Sequence, residues 1–479
     1  MRKVLFIFAV VVVAALTSSP ILHSLTTTPG WVKILGTTLM GGSENASPCP
    51  ANGFRGYQPQ PGGATGFSHC FDIIGDPSSA AIDTKRNRML LWGGGHDDYG
   101  GNEIYSLEIN LIGNTPISST TIGPLVRLTN PAPPNLLNNA QVETLIPGPS
   151  LASGNTSFGP CAGACLTNPG WPDPSVAGGT PNARHLYDGW FYDPNLDAGI
   201  SIGGARNVTG GASSATWVLP MNSVDATQCG AATPVVVSGV CDPQWSNKGT
   251  TYAGPGTGTM AHFDPNTGYI WLYASNIGNG LFVEADNNLA AGWVSAGSGF
   301  SGQGYHSDGV IDTDRDYFVH VGNNPPSDGI GYWPLAGYKI GTSGPITHVT
   351  PTLDASCTTM MATWVTLQGG QAAPANGLIT TSYVGINYDP IGHRIFIWPG
   401  TGNTIWFIDT GTWKCTSETY GTTKGVDFPQ DTDTENDPSA TGTFTRFGYF
   451  PELDVTVLCN DPRSDCWYLH LRRGNVVVK

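Results

Sequence analysis

Six times along the chain a short apolar segment runs into an Asp-Pro-like turn, and where the copy is fullest a second apolar segment follows at once. The copies are Ala80-Ala81-Ile82-Asp83, Trp190-Phe191-Tyr192-Asp193-Pro194, His262-Phe263-Asp264-Pro265, Val310-Ile311-Asp312, Ile386-Asn387-Tyr388-Asp389-Pro390 and Gly448-Tyr449-Phe450-Pro451. Arg88-Met89-Leu90-Leu91-Trp92, Gly199-Ile200-Ser201-Ile202 and Tyr269-Ile270-Trp271-Leu272-Tyr273 are the second segments. A Gly/Asn loop then leads to a third, as in Glu103-Ile104-Tyr105-Ser106-Leu107, Thr216-Trp217-Val218-Leu219 and Leu281-Phe282-Val283. Each unit is a small antiparallel meander that cannot bury both its faces alone. Radial stacking buries them and leaves only short edges, which is the β-propeller solution. A β-sandwich of this size would not need the repeat.

The expected fold is therefore all-β, one propeller over residues 26–479, with seven blades favoured over six. The widest gap between turn residues, from 83 to 193, holds either a seventh, degenerate blade or a Pro/Gly/Cys-rich insertion at about 130–181. Trp31-Val32-Lys33-Ile34-Leu35 supplies a strand to close the ring.

Composition agrees. The 479 residues include 64 Gly and 37 Pro, the material of turns, while charged residues make up only 12%. Coiled coils need far more charge, and a net charge of −15 gives no basic surface for nucleic acid. At 39% hydrophobic residues the chain has ample core for a folded domain.

Arg2-Lys3, an uncharged apolar run over residues 4–16 and Thr17-Ser18-Ser19 form the pattern of a secretory signal within residues 1–25, with an uncleaved anchor as the alternative. No second segment is long and apolar enough to span a bilayer. The expectation is a secreted or cell-surface protein whose partner is an extracellular glycan or another surface ligand. Ten cysteines then read as disulfides between sequence neighbours: Cys49 with Cys70, Cys161 with Cys165, Cys229 with Cys241, Cys357 with Cys415, and Cys459 with Cys466. Zinc is the rival for Cys161 and Cys165, but no second pair lies near at ligand spacing.

The Gly-Gly that ends a second strand, followed by Trp or Tyr on the third, resembles the kelch repeat of galactose-oxidase-like propellers. The stretch from Asp83 through Trp92-Gly93-Gly94-Gly95-His96-Asp97-Asp98-Tyr99 to Tyr105 is similar to a block in secreted bacterial kelch-like proteins. Those proteins also carry a cysteine pair like Cys49 and Cys70 and a block like Arg184-His185-Leu186-Tyr187-Asp188-Gly189. The resemblance spans most of the mature chain and implies the fold; the family has no settled activity to imply.

Meander topology sorts residues between two faces, since successive turns alternate ends. The Asp-Pro turns lie on one face, here the turn side. The loops between second and third strands share the other, the loop side, with the approach to each first strand. His96, Tyr99, Asn102, Arg184, Tyr305, Tyr383 and Arg446 fall on the loop side as candidate substrate-binding residues. His185, Tyr187, Arg206 and His306 fall there as candidate catalytic ones, with Asp308 nearby, whereas His262 sits further down its strand. In a chain so poor in charge, this convergence is the functional signal.

A set of His, Tyr and Arg suits β-elimination on uronic-acid chains, which needs a cation to neutralise the carboxylate, a base for the adjacent proton and an acid for the leaving oxygen. Propeller-type ulvan lyases use a similar set, and the likeness is in residue types only. A non-catalytic glycan- or protein-binding propeller is the alternative. A copper radical oxidase is disfavoured: it needs a tyrosine joined to a cysteine, and Cys459 alone lies on the loop side, with Cys466 as partner. Calcium is the one cofactor the sequence suggests: Asp431, Asp433 and Glu435 alternate oxygens in a way that suits it, but the glycine and final glutamate of a full calcium loop are missing, which favours a solvated acidic loop.

Overall fold

A computed structural model describes residues 29–39, 49, 70, 72–75, 78–94, 103–111, 124–129, 181, 184–206, 215–224, 237–241, 245–250, 259–274, 280–298, 308–321, 335–339, 347–349, 384–398, 400, 402–421, 429 and 443–472. Among them are five four-stranded sheets, one five-stranded sheet and one two-stranded ribbon. The sequence repeats become the first strands of the six larger sheets: Ser79–Asp83, Trp190–Asp193, Thr259–Asp264, Asp308–Asp312, Gly385–Asp389 and Phe447–Phe450. Each pairs antiparallel with its successor, as Ala81 with Leu90 and Phe191 with Ile200.

The six first strands pack side by side in chain order, and Phe447–Phe450 returns to Ser79–Asp83. The ring therefore closes at six among the described residues, and the seventh blade favoured from the sequence finds no strands there. Residues 130–180 lie outside the described set. The strand Val237–Cys241 does not begin a blade but adds in parallel to the outer edge of the first, against Leu125–Thr129. Ring closure by the N-terminal segment is as expected: Gly30–Lys33 pairs with Trp467–His470, matching Trp31 to Leu469.

Burial explains why the inner strands lack polar alternation. Arg88–Trp92 and Ala198–Ile202 are buried at every position, because each blade is covered on both faces by its neighbours. Six hydrophobic clusters result, one at each blade junction. Between the first and second blades, Trp92 meets Trp190 edge to face at 5.4 Å, and the Trp190 indole donates to the Leu90 carbonyl across the junction at 3.1 Å.

The turns have a local cause. The last residue of five first strands is Asp, and its carboxylate accepts backbone N–H groups two or three residues on: Asp193 from Asn195 (2.8 Å), Asp264 from Asn266 (3.0 Å), Asp389 from Ile391 (3.0 Å). The residue four past the strand end takes left-handed backbone at Asn87, Asp197, Gly268, Asp316, His393 and Asp454. Gly, Asn, Asp and His are the residues that tolerate it best.

Disulfides Cys49–Cys70 and Cys459–Cys466 form as expected. Cys415 is disulfide-bonded, while Cys357, Cys161, Cys165 and Cys229 lie outside the described residues. Among the described residues no helix is long and apolar enough to cross a membrane.

Candidate functional site

The approach to the second blade is a tight bend. Arg184–His185 pairs with Ala205–Arg206 in a two-stranded ribbon that sets Arg184 opposite Arg206 and His185 opposite Ala205. Tyr187 follows in left-handed backbone, φ 55°, where a bulky residue is strained by roughly 1–3 kcal/mol. Its ring stands edge-on between His185 (6.0 Å) and Phe444 (5.8 Å), and Phe444 is itself left-handed at φ 48°. Strained non-glycine backbone meeting in one place marks the loop side of the second and sixth blades.

The next residue, Asp188, crosses to the third blade. Its N–H donates to Thr259 O (3.3 Å) and its carbonyl accepts from Ala261 N (3.0 Å), so its backbone bridges to Met260. That anchorage leaves the carboxylate facing the inner strands. Asp188 Oδ2 lies 2.8 Å from His262 Nε2 and accepts the Gly309 N–H at 2.9 Å. Asp308 Oδ1 accepts the same N–H at 2.9 Å, and its Oδ2 accepts Ile386 N–H at 3.3 Å. Three side chains from consecutive blades thus meet, one donor atom of each within 4.8 Å of the others.

Both carboxyls are buried, and His262 keeps 17% of its side chain exposed. Burial raises Asp188 and Asp308 well above the usual carboxylate range, and the neighbouring acid raises Asp308 further. Burial also lowers the His262 imidazole to about 4, against the pull of the Asp308 charge. Asp188 Oδ1 is buried and meets no hydrogen-bond donor. Two acids and a neutral imidazole in contact can share a proton or hold a cation.

The sequence candidates fare unevenly in placement. His185 and Tyr187 come together on the loop side, buried to 7% and 5% exposure. Arg184 and Arg446 are fully buried. Arg184 donates to Gly203 O at 3.0 Å, and Arg446 donates to Ser78 Oγ at 3.0 Å and to Ile74 O. Arg206 is described in its backbone only, and His96, Tyr99, Asn102, Tyr305, His306, Tyr383, Asp431, Asp433 and Glu435 lie outside the described residues. Sequence reasoning missed the union of Asp188, His262 and Asp308. Asp188 lies within the Arg184–Gly189 block and His262 further down its strand, and a His amid an apolar first strand beside a loop-side Asp is the signal the sequence holds.

Ring closure and blade packing define the class: this is a β-propeller. No family model matches the chain, and no curated protein does. Among solved structures it is similar to YjhT, at 10% identity over 72% of this chain and 86% of that one, with a TM-score of 0.37. The GH74 xyloglucanase from Xanthomonas campestris is 10% identical over 84% of this chain and 48% of its own, with a TM-score of 0.35. An α-L-arabinofuranosidase from Fusarium graminearum is 12% identical over 83% and 97%, with a TM-score of 0.34.

Proposed function

We propose that this is a kelch-like propeller, secreted or held at the cell surface, that acts on extracellular polysaccharide by cleaving uronate-containing chains through β-elimination. The observation that carries the reading is the bend at the second blade, where His185 and Tyr187 meet ring to ring and Arg206 lies in the adjoining strand of the same ribbon. His185 or His306 takes the proton from the carbon beside the substrate carboxylate. Those electrons form the new double bond as the glycosidic C–O bond breaks, and Tyr187 or Tyr305 gives the leaving oxygen its proton. Arg206 offsets the charge that develops on the carboxylate; Arg184, the other cation expected from the sequence, is fully buried and donates to Gly203 O. His96, Tyr99, Asn102 and Tyr383 complete the substrate-binding set, without Arg446, which is fully buried and bonded to Ser78 Oγ and Ile74 O.

A non-catalytic glycan- or protein-binding propeller is the second reading. It is favoured by the burial of Arg184, whose guanidinium donates to Gly203 O and is thereby withdrawn from neutralising a substrate carboxylate. A panel of uronate polysaccharides, read by the ultraviolet absorbance of the unsaturated product, separates the two. Lyase activity that His185→Ala abolishes, with the melting temperature nearly unchanged, supports the first. No absorbance on any polymer, together with retained glycan binding, replaces it with the second.

A further inference from the structure

We infer that Asp188, His262 and Asp308 form a binding site for a divalent cation of the zinc–manganese kind, pinning the second, third and fourth blades together at their inner strands. The inference stands apart from the polysaccharide reading and uses none of its residues.

Three observations point to a ligand. The first is charge. Asp188 and Asp308 are both buried, one donor atom of each lies within 4.8 Å of the other's, and among the described residues no Lys or Arg pairs with either. A buried pair of acids either keeps a proton between them or, once both are ionised, needs a positive partner. The second is the orphaned oxygen: Asp188 is fully buried and its Oδ1 meets no donor in the fold, while the two carboxyls can hydrogen-bond to each other only as long as one of them keeps a proton. The third is room. A Cβ at Gly309 would lie 3.3 Å from His262 Nε2 and 3.4 Å from both Asp188 Oδ2 and Phe318 Cζ, so the missing side chain leaves the two donors open on that side.

The donor set selects the metal. One imidazole and two carboxylates give mixed nitrogen and oxygen ligation from three side chains, which suits Zn²⁺ or Mn²⁺ with further positions open to water. Calcium asks for six to eight oxygens and does not fit so small a set. Two ionised carboxylates would balance the doubly charged ion, which displaces whatever protons the acids hold in its absence.

The test uses the full-length, untagged protein, stripped with EDTA and desalted. ZnCl₂ and, separately, MnCl₂ are titrated into it by calorimetry, and thermal unfolding is followed with and without each ion. The expected result is one equivalent bound per chain for at least one of the ions and a higher melting temperature in its presence. Asp308→Asn and His262→Gln, each checked for an unchanged circular-dichroism spectrum, should weaken binding at least tenfold and remove the melting shift. Either folded variant suffices to read this outcome. Folded wild-type protein that binds neither ion stoichiometrically, or binding undiminished in a folded variant, overturns the inference.

Discussion

Where the first strands end, one device recurs around the ring; where they begin, the blades whose loop side is described differ from one another. On the turn side an Asp caps the turn in five blades, and in all six the residue four past the strand end takes left-handed backbone. Neighbouring turns are then clasped: Asn266 donates to Asp316 Oδ1 (3.1 Å), Arg315 to the His393 carbonyl (3.3 Å), and Arg472 joins Asp389 to Asp454. On the loop side the sixth blade closes its loop with Cys459–Cys466, the second makes the strained bend at Tyr187, and Asp188 reaches into the third. The same strand geometry thus supports a repetitive latch at one end and individual chemistry at the other. Positioned loops on a rigid scaffold are where function concentrates.

The largest way to break this comparison is to open the latch. Arg472 stands between Asp389 and Asp454, both with fully buried side chains. Arg472→Ala should cost about 3 kcal/mol, because two buried carboxylates lose their shared cation, and a fall of several degrees in melting temperature checks it. Residual help from Arg394, 3.6 Å from Asp389, sets the lower end of the effect. If the latch is purely structural, loop-side ligand binding measured below the transition is unchanged. A loss of binding without a loss of stability would mean that the two ends are not separable.

The contrast also explains what could be read from the sequence. Turn-side punctuation is a local signal, since Asp193 caps N–H groups two and three residues on, and any such turn announces itself in a short window. The closing strand was legible too, as a lone apolar segment around Trp31. Blade number was not: a gap between turns does not say whether its strands start a blade or thicken one, and Val237–Cys241 does the latter. Nor was the Asp188 site, whose contacts join residues 74 and 121 positions apart on three blades. Arg184 and Arg446 were placed on the correct side by topology, but their depth depends on carbonyls that the chain's own bends leave to be satisfied, such as Gly203 O.

A carboxyl near the turn side sharpens the comparison further. Glu284 is buried; its Oε1 accepts the Ile270 N–H at 2.9 Å and its Oε2 meets no donor. Burial raises this carboxyl from 4.5 to about 8. Where the Asp188–Asp308 pair is inferred to take a cation, Glu284, a single acid, takes a proton. The folded protein then holds a proton that the unfolded chain releases above pH 4.5, so stability is lost as pH rises from there toward 8. Glu284→Gln should remove that slope and leave the variant more stable than wild type at pH 8, by on the order of 2 kcal/mol. Parallel melting curves for the two proteins between pH 5 and 8 would show that the carboxyl is ionised in the fold.

The smallest effect belongs to the clasp between the first two blades, and it tests whether the latch works even where water reaches it. Arg86 grips Asp197 with two N–H groups, at 2.8 and 2.9 Å, while Tyr192 OH (2.7 Å) and Lys85 (3.0 Å) hold the same carboxylate. The Arg86 bond above all keeps the Asp197 carboxyl well below the ordinary range. Side chains 20% and 27% exposed keep solvent screening, and the buried Asp83 that Arg86 also meets at 3.1 Å retains Arg88 at 2.8 Å, so Arg86→Ala should cost only about 1 kcal/mol at neutral pH. A depressed carboxyl contributes stability above its unfolded value of 3.8 and loses it as pH falls through the folded one. The gap in melting temperature between wild type and Arg86→Ala should therefore be full at pH 7, shrink below pH 4, and narrow again in molar salt. A gap that persists unchanged in acid and in salt would assign Arg86 to packing rather than to charge, and would make this junction of the latch a hydrophobic one.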